Sequence, residues 1–390
     1  MTSAFDRLRV IDFTTTIAGP HCTRLLSDLG AEVIKIEAPE GDMMRTRPPL
    51  RNGASTSFGQ LNTGKRSVVL DLKRPEAVAV VKRLVAGADV VVENFRPGVM
   101  QRFGLGYEAL RAVKPDLVYC SISGYGQSGP SAGRPAYAPV IHAASGYDRA
   151  HMAYQGVERR PDYCGIYIAD VVTGTYAFGA IASALYQRQA TGEGQMIDVS
   201  MLESMLSLTL SEIQNAQFHV PPLPRQIFGP VETRDGYIML AVASERTFQN
   251  LAVASGHEGW IDDPRFALYA NRRNHWGELI EELETWSKRL TTAEVQAAFD
   301  RHGVPSSPYR TVKEAMADPQ LAHRRALATI EDGGGSFLAL NPPFRMSGSE
   351  AAARPWVNAL GADSRAVLAE AGYSEAEIDA LVAAGVTATG

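Results

Sequence analysis

Residues 8–37, LRVIDFTTTIAGPHCTRLLSDLGAEVIKIE, decide the fold class of this chain. They hold two short β-prone runs, LRVIDF and AEVIKIE, on either side of a helical pattern, HCTRLLSDLG (21–30), that Gly30 ends. A strand, a helix and a second strand in this order predict a βαβ unit with parallel strands. The loop TTTIAGP follows the first strand, and parallel sheets bind ligands at the carboxyl ends of their strands.

The same alternation continues through the first half of the chain. PEAVAVVKRLVAGA (75–88) predicts a helix and DVVVENF (89–95) a strand, and YEALRAVKP (107–115) and DLVYCSIS (116–123) repeat the pair. Nearly continuous apolar strands are typical of a parallel sheet that is covered on both faces. The sequence therefore predicts an α/β fold whose binding loops are TTTIAGP, EAPEGD, ENFRPG and SGYGQSG.

The character of the sequence changes after residue 200. We predict a large domain over 1–200, a linker over 201–224, and a smaller α+β domain over 225–330. The smaller domain begins with a strand pair that turns at Asp235–Gly236, a strong hairpin signal. A chain of 390 residues is long enough for two domains.

Composition limits the partners and the location of the protein. The formal net charge is −5, so no overall positive field favours nucleic acid or an anionic membrane. The three cysteines, Cys22, Cys120 and Cys164, are far apart and form no metal-binding pattern. We therefore expect a cytoplasmic protein with no metal and no permanently bound cofactor. No apolar run of about 20 residues suggests a membrane span.

A glycine pattern, G-x-G-x-x-G at Gly124, Gly126 and Gly129, follows the strand DLVYCSIS. In a dinucleotide site the third glycine lies in a helix whose N-terminus holds the pyrophosphate. Here Pro130, Gly133 and Pro135 come next, and such breakers exclude a helix. The pattern predicts a loop at the mouth of the sheet and no nicotinamide site.

Several loops together resemble the class III CoA-transferase family, also called the CaiB/BaiF family, which includes formyl-CoA transferase and related acyl-CoA racemases. The segments that carry the resemblance follow the family's order along nearly the whole chain. They are VIDFTTTIAGPHCTRLLSDLGAEVIKIEAPEGD, LNTGKRSVVLDLK, VVENFRPGVMQRFGLGY, SISGYGQSGP, RPAYAPVIHAASG, ADVVTGTYAFGAIASALYQRQATGEGQMIDVSMLES, DPRF, HGVPSSPYRTVKEAMADPQL and GYSEAEIDAL.

The resemblance implies a Rossmann-like large domain that the tail 340–390 completes, a small domain, and a homodimer of interlocked chains. It also implies that Asp170, in YIADVVTG, is the catalytic nucleophile. By itself, an aspartate that begins a helical pattern is more often an N-cap. The two roles are compatible, because the helix dipole favours the ionised carboxylate.

The resemblance also implies the reaction. An aspartate attacks the acyl-CoA thioester to give a mixed anhydride, and the CoA thiolate then forms an enzyme thioester. Both intermediates hydrolyse readily, so water has to be excluded and N–H groups have to stabilise the oxyanions. CoA is then a co-substrate, and the partner molecules are an acyl-CoA and a free carboxylic acid.

For CoA itself the resemblance points to residues in five segments of the chain. Lys73, Arg96 and Arg102 supply cations for its phosphates, and Phe95 lines the adenine or pantetheine path. Met201 also fits a core position of a helix. The complete set is Ile17, Ala18, Leu70, Lys73, Asn94, Phe95, Arg96, Arg102, Tyr137 and Met201.

The chain departs from formyl-CoA transferase in the acyl site. Its substrate-side loop, Ala243, Ser244 and Glu245, lacks the family's glycine run, and Thr15 and Ile17 replace His and Gln. Formyl-CoA and oxalate are therefore disfavoured as substrates. Ala38 stands where formyl-CoA transferase has an adenine-side Arg, a contact that Arg45 could take over.

Dicarboxylyl donors such as succinyl-CoA are common in this family, and we expect one here. Arg134, Arg159 and Arg160 are candidates to pair the distal carboxylate of such a donor. The sequence does not identify the acceptor acid.

Two alternatives remain open. An α-methylacyl-CoA racemase on the same scaffold uses a His where this chain has Tyr137, and the nearby His142 fits a packed core histidine. A non-catalytic CoA-binding protein is the second alternative, which the intact Asp170 position disfavours.

Overall fold

A parallel β-sheet organises the larger part of the chain, in a computed structural model that describes residues 3–155, 160–161, 164–218 and 228–390. The chain divides into two compact units. The first contains the residues up to Leu210 together with Leu321–Gly390, and the second contains Ser211–Gln320.

The described strands are β1 Arg9–Asp12, β2 Glu32–Glu37, β3 Leu50–Arg51, β4 Ala54–Ser55, β5 Arg66–Val69, β6 Val90–Glu93, β7 Val118–Ser123, β8 Gln195–Ser200, β9 Phe228–Glu232, β10 Tyr237–Ala241, β11 Ser306–Pro308, β12 Leu327–Asp332 and β13 Gly335–Leu340.

The described α-helices are α1 Ala18–Asp28, α2 Thr56–Asn62, α3 Pro75–Val85, α4 Val99–Arg102, α5 Tyr107–Arg111, α6 Ala138–Ala144, α7 Tyr147–Tyr154, α8 Ile168–Thr191, α9 Met201–Leu206, α10 Leu210–Asn215, α11 Glu245–Ala254, α12 Tyr269–Asn274, α13 Trp276–Ser287, α14 Thr292–His302, α15 Val312–Met316, α16 Pro319–His323, α17 Ser364–Glu370 and α18 Glu375–Ala383. Two 3₁₀ helices cover Met43–Thr46 and Glu258–Ile261.

The predicted parallel sheet is confirmed. Its six strands follow the order β5-β2-β1-β6-β7-β8, and every adjacent pair is parallel. Four of them, β1, β2, β6 and β7, lie within the runs that the sequence predicts as strands, and the two edge strands, β5 and β8, are not predicted. The carboxyl ends of β1 and β6 lie side by side, so their loops meet.

Helix α1 starts three residues earlier than the sequence pattern predicts. It begins at Ala18 and includes Pro20, because a proline in the first turn removes only an N–H that has no acceptor within the helix. The helix ends at Asp28, and Gly30 takes a left-handed φ of 103° that leads into β2.

Helices cover both faces of the sheet, as its apolar strands require. On one face, Ile11, Ile34 and Val91 pack against α3, α17 and α18. On the other face, Val10 and Val118 pack against α1 and α8. Residues of the C-terminal tail thus belong to the core of the first unit.

The tail also covers the edge of the sheet at β5. Asp363 accepts a hydrogen bond from the Ser67 N–H at 2.8 Å, and Ser364 accepts one from the Val69 N–H at 3.1 Å. Thr387 donates to the Val69 carbonyl at 2.6 Å. An edge strand with unpaired backbone groups is open to pairing with other chains, and the tail occupies those groups.

A buried ion pair lies beneath the loop that follows β1. The Lys65 ammonium contacts the Asp12 carboxylate at 3.0 Å, and it also donates to Thr23 and Asn62. Burial lowers the pKa of Lys65 to about 8, although Asp12 opposes that shift. Burial would raise the pKa of Asp12, but Lys65, Lys35 and two threonine hydroxyls together hold it below its usual value.

We predict that Lys65→Met destabilises the fold by about 3–5 kcal/mol, because it leaves the Asp12 carboxylate buried without its cation. The matched control is Arg7→Met, an exposed site where we expect a change within about 0.5 kcal/mol. Urea unfolding at pH 7 measures both. Equal stabilities for the two variants would show that the pair does not support this loop.

The second unit contains the antiparallel sheet β11-β10-β9. Strands β9 and β10 form the hairpin that the sequence predicts, with the turn at Asp235–Gly236. The core of the second unit includes Phe248, Phe266 and Trp276. The range 201–224, which the sequence predicts to be a linker, contains α9 and α10, and residues 219–224 lie outside the described part of the chain.

Helix α8 is the one described helix that is long and apolar enough to cross a membrane, by length and composition alone. The sequence pattern did not suggest such a span. A single helix of this kind is weak support for a membrane protein, since core helices pass the same test. Ala177, Ile181 and Leu185 of α8 are buried against the sheet, as in a core helix.

Candidate active site

Asp170 lies in the first turn of α8 and faces the beginning of α1. The backbone N–H groups of Ala18, at the first position of α1, and of Asp170 itself are close enough to lower the pKa of the Asp170 carboxyl. The positive ends of two helix dipoles therefore meet at one side chain. Both donors stabilise the ionised carboxylate, which is the form that can act as a nucleophile.

Close packing of the two helices brings these groups together. A Cβ atom at Gly174, one turn after Asp170, would lie 2.4 Å from the Ala18 carbonyl oxygen. A side chain at this position would therefore push α8 away from α1. The glycine in ADVVTG is required because the backbones touch here, and it keeps Asp170 within reach of the Ala18 N–H.

Burial gives the Asp170 carboxyl an unusual pKa. Desolvation is the largest effect and raises the pKa of Asp170 to about 6, against the opposing effect of its two backbone donors. At pH 7 about nine tenths of the side chains are then ionised. A carboxylate with poor solvation is a stronger nucleophile than one on the surface, and this one remains charged at neutral pH.

The loop between β1 and α1 is fixed by Asn94, which follows β6. The Asn94 side chain accepts a hydrogen bond from the Thr15 N–H at 2.9 Å and donates one to the Thr15 carbonyl at 2.8 Å. This double contact joins the loops after two adjacent strands. It sets the direction in which the chain enters α1, and hence the position of the Ala18 N–H.

Two buried charged side chains, Lys35 and Asp12, also fix the backbone of this loop. The Lys35 ammonium donates to the Thr14 carbonyl at 2.6 Å, and the Asp12 carboxylate accepts from the Thr14 N–H at 2.8 Å. The next residue but one, Thr16, has a left-handed φ of 70°, which a threonine rarely adopts. The surrounding contacts therefore impose the conformation of the loop.

A crevice of about 190 Å³ opens at the carboxyl edge of the sheet. It brings together three of the predicted CoA contacts, Leu70, Lys73 and Phe95. The Glu93 carboxyl accepts a hydrogen bond from the Phe95 N–H at 2.9 Å, so the ENF sequence positions both the loop and the aromatic ring. Burial raises the pKa of Glu93 to about 7.

Two predicted cations lie near this edge and are exposed. Arg96 and Arg102 have no ion-pair partner among the described residues, so both guanidinium groups are available to an anion. Arg45 is different, because it holds the Glu37 carboxylate with two contacts of 2.7 Å and covers the Phe58 ring. It is therefore engaged within the protein.

The other predicted CoA contacts occupy separate environments. Ile17 is buried and lines a cavity of about 1460 Å³ that Tyr167 and Val171, on either side of Asp170, also line. Tyr137 is 66% exposed at the start of α6. Met201 is 8% exposed and packs with Ala169, as a core residue does.

The predicted substrate-side loop lies in the second unit, at the beginning of α11. Ser244 caps this helix through a capping box with Thr247. The Glu245 carboxylate pairs with Arg272, which is fully buried and stacks on the Phe248 ring. These contacts fix the end of the loop within its own unit.

The predicted anion contacts for the acyl group are spread over the loops. The Arg134 guanidinium lies 5.6 Å from the Tyr125 ring, and Arg160 is exposed. Arg159 lies outside the described residues. The described residues contain no group of three His, Cys, Asp or Glu side chains that could hold a metal ion.

A family model described as CoA-transferase family III matches residues 5–364. The chain belongs to CoA-transferase family III. It is therefore an enzyme that transfers CoA, which excludes the non-catalytic alternative.

Known proteins of this family are similar along most of their length. The succinate–glutarate CoA-transferase of Agrobacterium fabrum is 34% identical over 360 residues, which cover 87% of this chain and 88% of the relative. The mouse succinyl-CoA:glutarate CoA-transferase is 33% identical, with 98% and 89% covered. A CAIB/BAIF family protein from Brucella suis has a crystal structure with a TM-score of 0.83 and 32% identity, covering 95% of this chain and all of that one.

His142, which the sequence predicts to be a core residue, contacts α8, the helix that carries Asp170. His142 is buried on α6, and its Nε2 atom accepts a hydrogen bond from the Ala169 N–H at 3.2 Å. Sequence patterning identified the burial of His142, but a contact between residues 27 positions apart leaves no local signal.

We predict that kcat/KM of the transferase falls below a midpoint near pH 6. The pKa of Asp170 is raised to about 6, so its carboxyl becomes protonated below that pH and loses its nucleophilic lone pair. A pH profile of kcat/KM in the free enzyme measures the midpoint. Above it the rate reaches a plateau, because the ionised form is already complete.

The control for this profile is Glu93→Gln, since burial also raises the pKa of Glu93 to about 7. We expect the acid limb to persist in this variant. Loss of the limb on removing Glu93 would show that Asp170 does not set the pH dependence.

Proposed function

We propose that the enzyme moves CoA between carboxylic acids with Asp170 as the nucleophile. The observation that carries this proposal is the half-buried Asp170 carboxylate at the meeting point of two helix N-termini, where a pKa of about 6 leaves it ionised at neutral pH.

The chemistry proceeds through four exchanges of acyl bonds. The Asp170 carboxylate attacks the donor thioester and the C–S bond breaks. CoA leaves as a thiolate, and a mixed anhydride of Asp170 and the donor acid remains. The thiolate attacks the aspartyl carbonyl, which releases the donor acid and leaves an enzyme thioester. The acceptor carboxylate attacks this thioester and expels the thiolate again. The thiolate then takes the acceptor acyl group from the anhydride and regenerates Asp170.

Each attack places negative charge on a carbonyl oxygen that needs donors. The Ala18 N–H already points at the carboxylate that becomes the aspartyl carbonyl, so it stabilises the oxyanion of the two middle steps. The fixed loop after β1 holds this donor without reorganisation. Both acyl intermediates are prone to hydrolysis, so water has to be kept away from Asp170 during the reaction.

We place CoA along the carboxyl edge of the sheet. The crevice lined by Leu70, Lys73 and Phe95 offers an aromatic face and a cation, and Arg96 and Arg102 add two more unpaired cations nearby. Ile17, Ala18, Asn94, Tyr137 and Met201 complete the proposed contacts. The Asn94 side chain is already hydrogen-bonded to Thr15, so any contact that it makes with CoA has to be compatible with that bond.

We infer a dicarboxylyl-CoA, such as succinyl-CoA, as the donor. Relatives named as succinate–glutarate and succinyl-CoA:glutarate CoA-transferases support this inference, and so does the succinyl-CoA–D-citramalate CoA-transferase of Chloroflexus aurantiacus, 36% identical over 338 residues. Thr15 and Ile17 stand where formyl-CoA transferase has His and Gln, which argues against formyl-CoA.

The racemase alternative lacks its base. Racemisation requires two groups that exchange the α-proton, and Tyr137 stands where the racemase has His. A phenol with a pKa near 10 is a poor base at pH 7. His142 is buried and already accepts a backbone N–H, so it does not replace the missing base.

An isotope experiment distinguishes transfer from racemisation. With succinyl-CoA and labelled acceptor acid in deuterated water, we expect the label in the CoA ester and no deuterium at the α-carbon. Asp170→Ala should lose more than about 99% of the exchange, because no carboxylate remains to form the anhydride. Circular dichroism and CoA binding of this variant should match the wild type. Deuteration at the α-carbon without label exchange would instead assign the enzyme to the racemases.

We also propose a cytoplasmic homodimer of interlocked chains. Val171, Tyr176 and Tyr186 on α8 are exposed, and the cavity of about 1460 Å³ lies beside this helix. Exposed large apolar side chains on one helix support a protein interface there.

Interlocked chains can separate only after a domain opens. Separately folded dimers that carry different tags should therefore form no mixed dimer within hours of mixing, as measured by affinity capture. Mixed dimers within minutes would contradict the linked arrangement.

A further inference from the structure

The contact between His142 and α8 is a hydrogen bond that fixes which ring nitrogen of His142 carries the proton. The Nε2 atom of His142 accepts the Ala169 N–H at 3.2 Å, so the proton of the neutral ring is on Nδ1. The side chain is 1% exposed and its ring packs against Tyr147 at a centroid distance of 5.8 Å. Burial lowers the pKa of His142, and Asp148 only opposes this shift, so the ring remains a neutral acceptor.

The first turn of α8 has no side-chain cap of its own. Tyr167 at the N-cap position provides no acceptor, and the N–H groups of a first turn have no acceptor within the helix. His142 satisfies the Ala169 N–H from a different helix, immediately before the nucleophile.

We propose that His142 is a positioning residue for Asp170, a role that rests on the proposed function of Asp170 as the nucleophile. Without the imidazole, the Ala169 N–H would have the adjacent Asp170 carboxylate as its nearest alternative acceptor. A carboxylate in the first turn of a helix readily caps such N–H groups. That bond would turn the carboxylate from the Ala18 N–H back onto its own helix and weaken it as a nucleophile.

His142 thus prevents the nucleophile from capping its own helix. The effect is on the orientation and charge of Asp170 and not on CoA binding, since His142 lines neither described cavity. Loss of the acceptor should therefore appear in kcat, while KM for the acyl-CoA stays near its wild-type value. A general loss of packing would not be restored by an acceptor alone.

Three variants test this role. His142→Leu removes the acceptor at similar volume, and His142→Gln keeps a carbonyl oxygen at the end of a flexible side chain. Tyr147→Leu is the matched packing control, because it removes the ring beside His142 and keeps the acceptor. The measurement is kcat and KM for CoA transfer from succinyl-CoA, together with thermal melting of each variant.

We expect kcat to fall at least tenfold in His142→Leu, with KM within about twofold of wild type. His142→Gln and Tyr147→Leu should retain kcat within about threefold. Wild-type kcat in the leucine variant, a glutamine variant as slow as the leucine variant, or a loss confined to KM would each overturn the proposal. If His142→Leu does not fold, His142→Met takes its place in the same comparison.

The failure of this inference is distinguishable from the failure of the proposed function. If Asp170→Ala is inactive and His142→Leu is fully active, only the role of His142 is wrong. If Asp170→Ala retains activity, the nucleophile itself is wrong and the role of His142 falls with it.

Discussion

The approach of the Ala18 N–H to the Asp170 carboxylate joins the two helices on which the candidate site is built. It requires the first turn of α1 and the first turn of α8 to meet at backbone distance, which only glycine at position 174 permits. It also requires a fixed entry into α1. Asn94, Lys35 and Asp12 supply this by holding the backbone of Thr14 and Thr15.

Two aspartates in this unit, the buried Asp12 and the half-buried Asp170, differ in the partners of their carboxylates. Asp12 is paired with Lys65 and hydrogen-bonded by two hydroxyls, and these partners hold its pKa below the usual value. Asp170 has no cationic partner among the described residues, and desolvation raises its pKa to about 6. The first carboxylate is neutralised by its partners and stabilises a loop. The second retains an uncompensated charge that an electrophile can use.

The raised pKa of Asp170 also has a cost in stability. A carboxyl whose pKa is higher in the folded state than in the unfolded state favours folding below its unfolded pKa, near 3.8. That contribution is lost as the pH rises through about 6, so at neutral pH the ionised Asp170 lowers the stability of the folded state. Active sites are commonly less stable than the surrounding fold for this reason.

The sequence predicts the parallel sheet because apolar strands and helices alternate visibly from Arg9 to Ser123. It does not predict β8, whose pattern is interrupted by Asp198, and it misplaces the start of α1 because Pro20 resembles a helix breaker. Asp170 emerges from the family resemblance and not from spacing. The contacts of Asn94, Lys65 and His142 join residues far apart in the chain, so local patterns contain no signal for them.

The most direct test of the account is to identify the covalent intermediate. The enzyme is mixed with succinyl-CoA in the absence of acceptor acid, quenched in acid within the first turnover, and digested for mass spectrometry. We predict a CoA adduct on the Asp170 side chain, which disappears when acceptor acid is added before the quench. Product formation at the normal rate with no adduct on Asp170, or with CoA attached to another residue, would contradict the account.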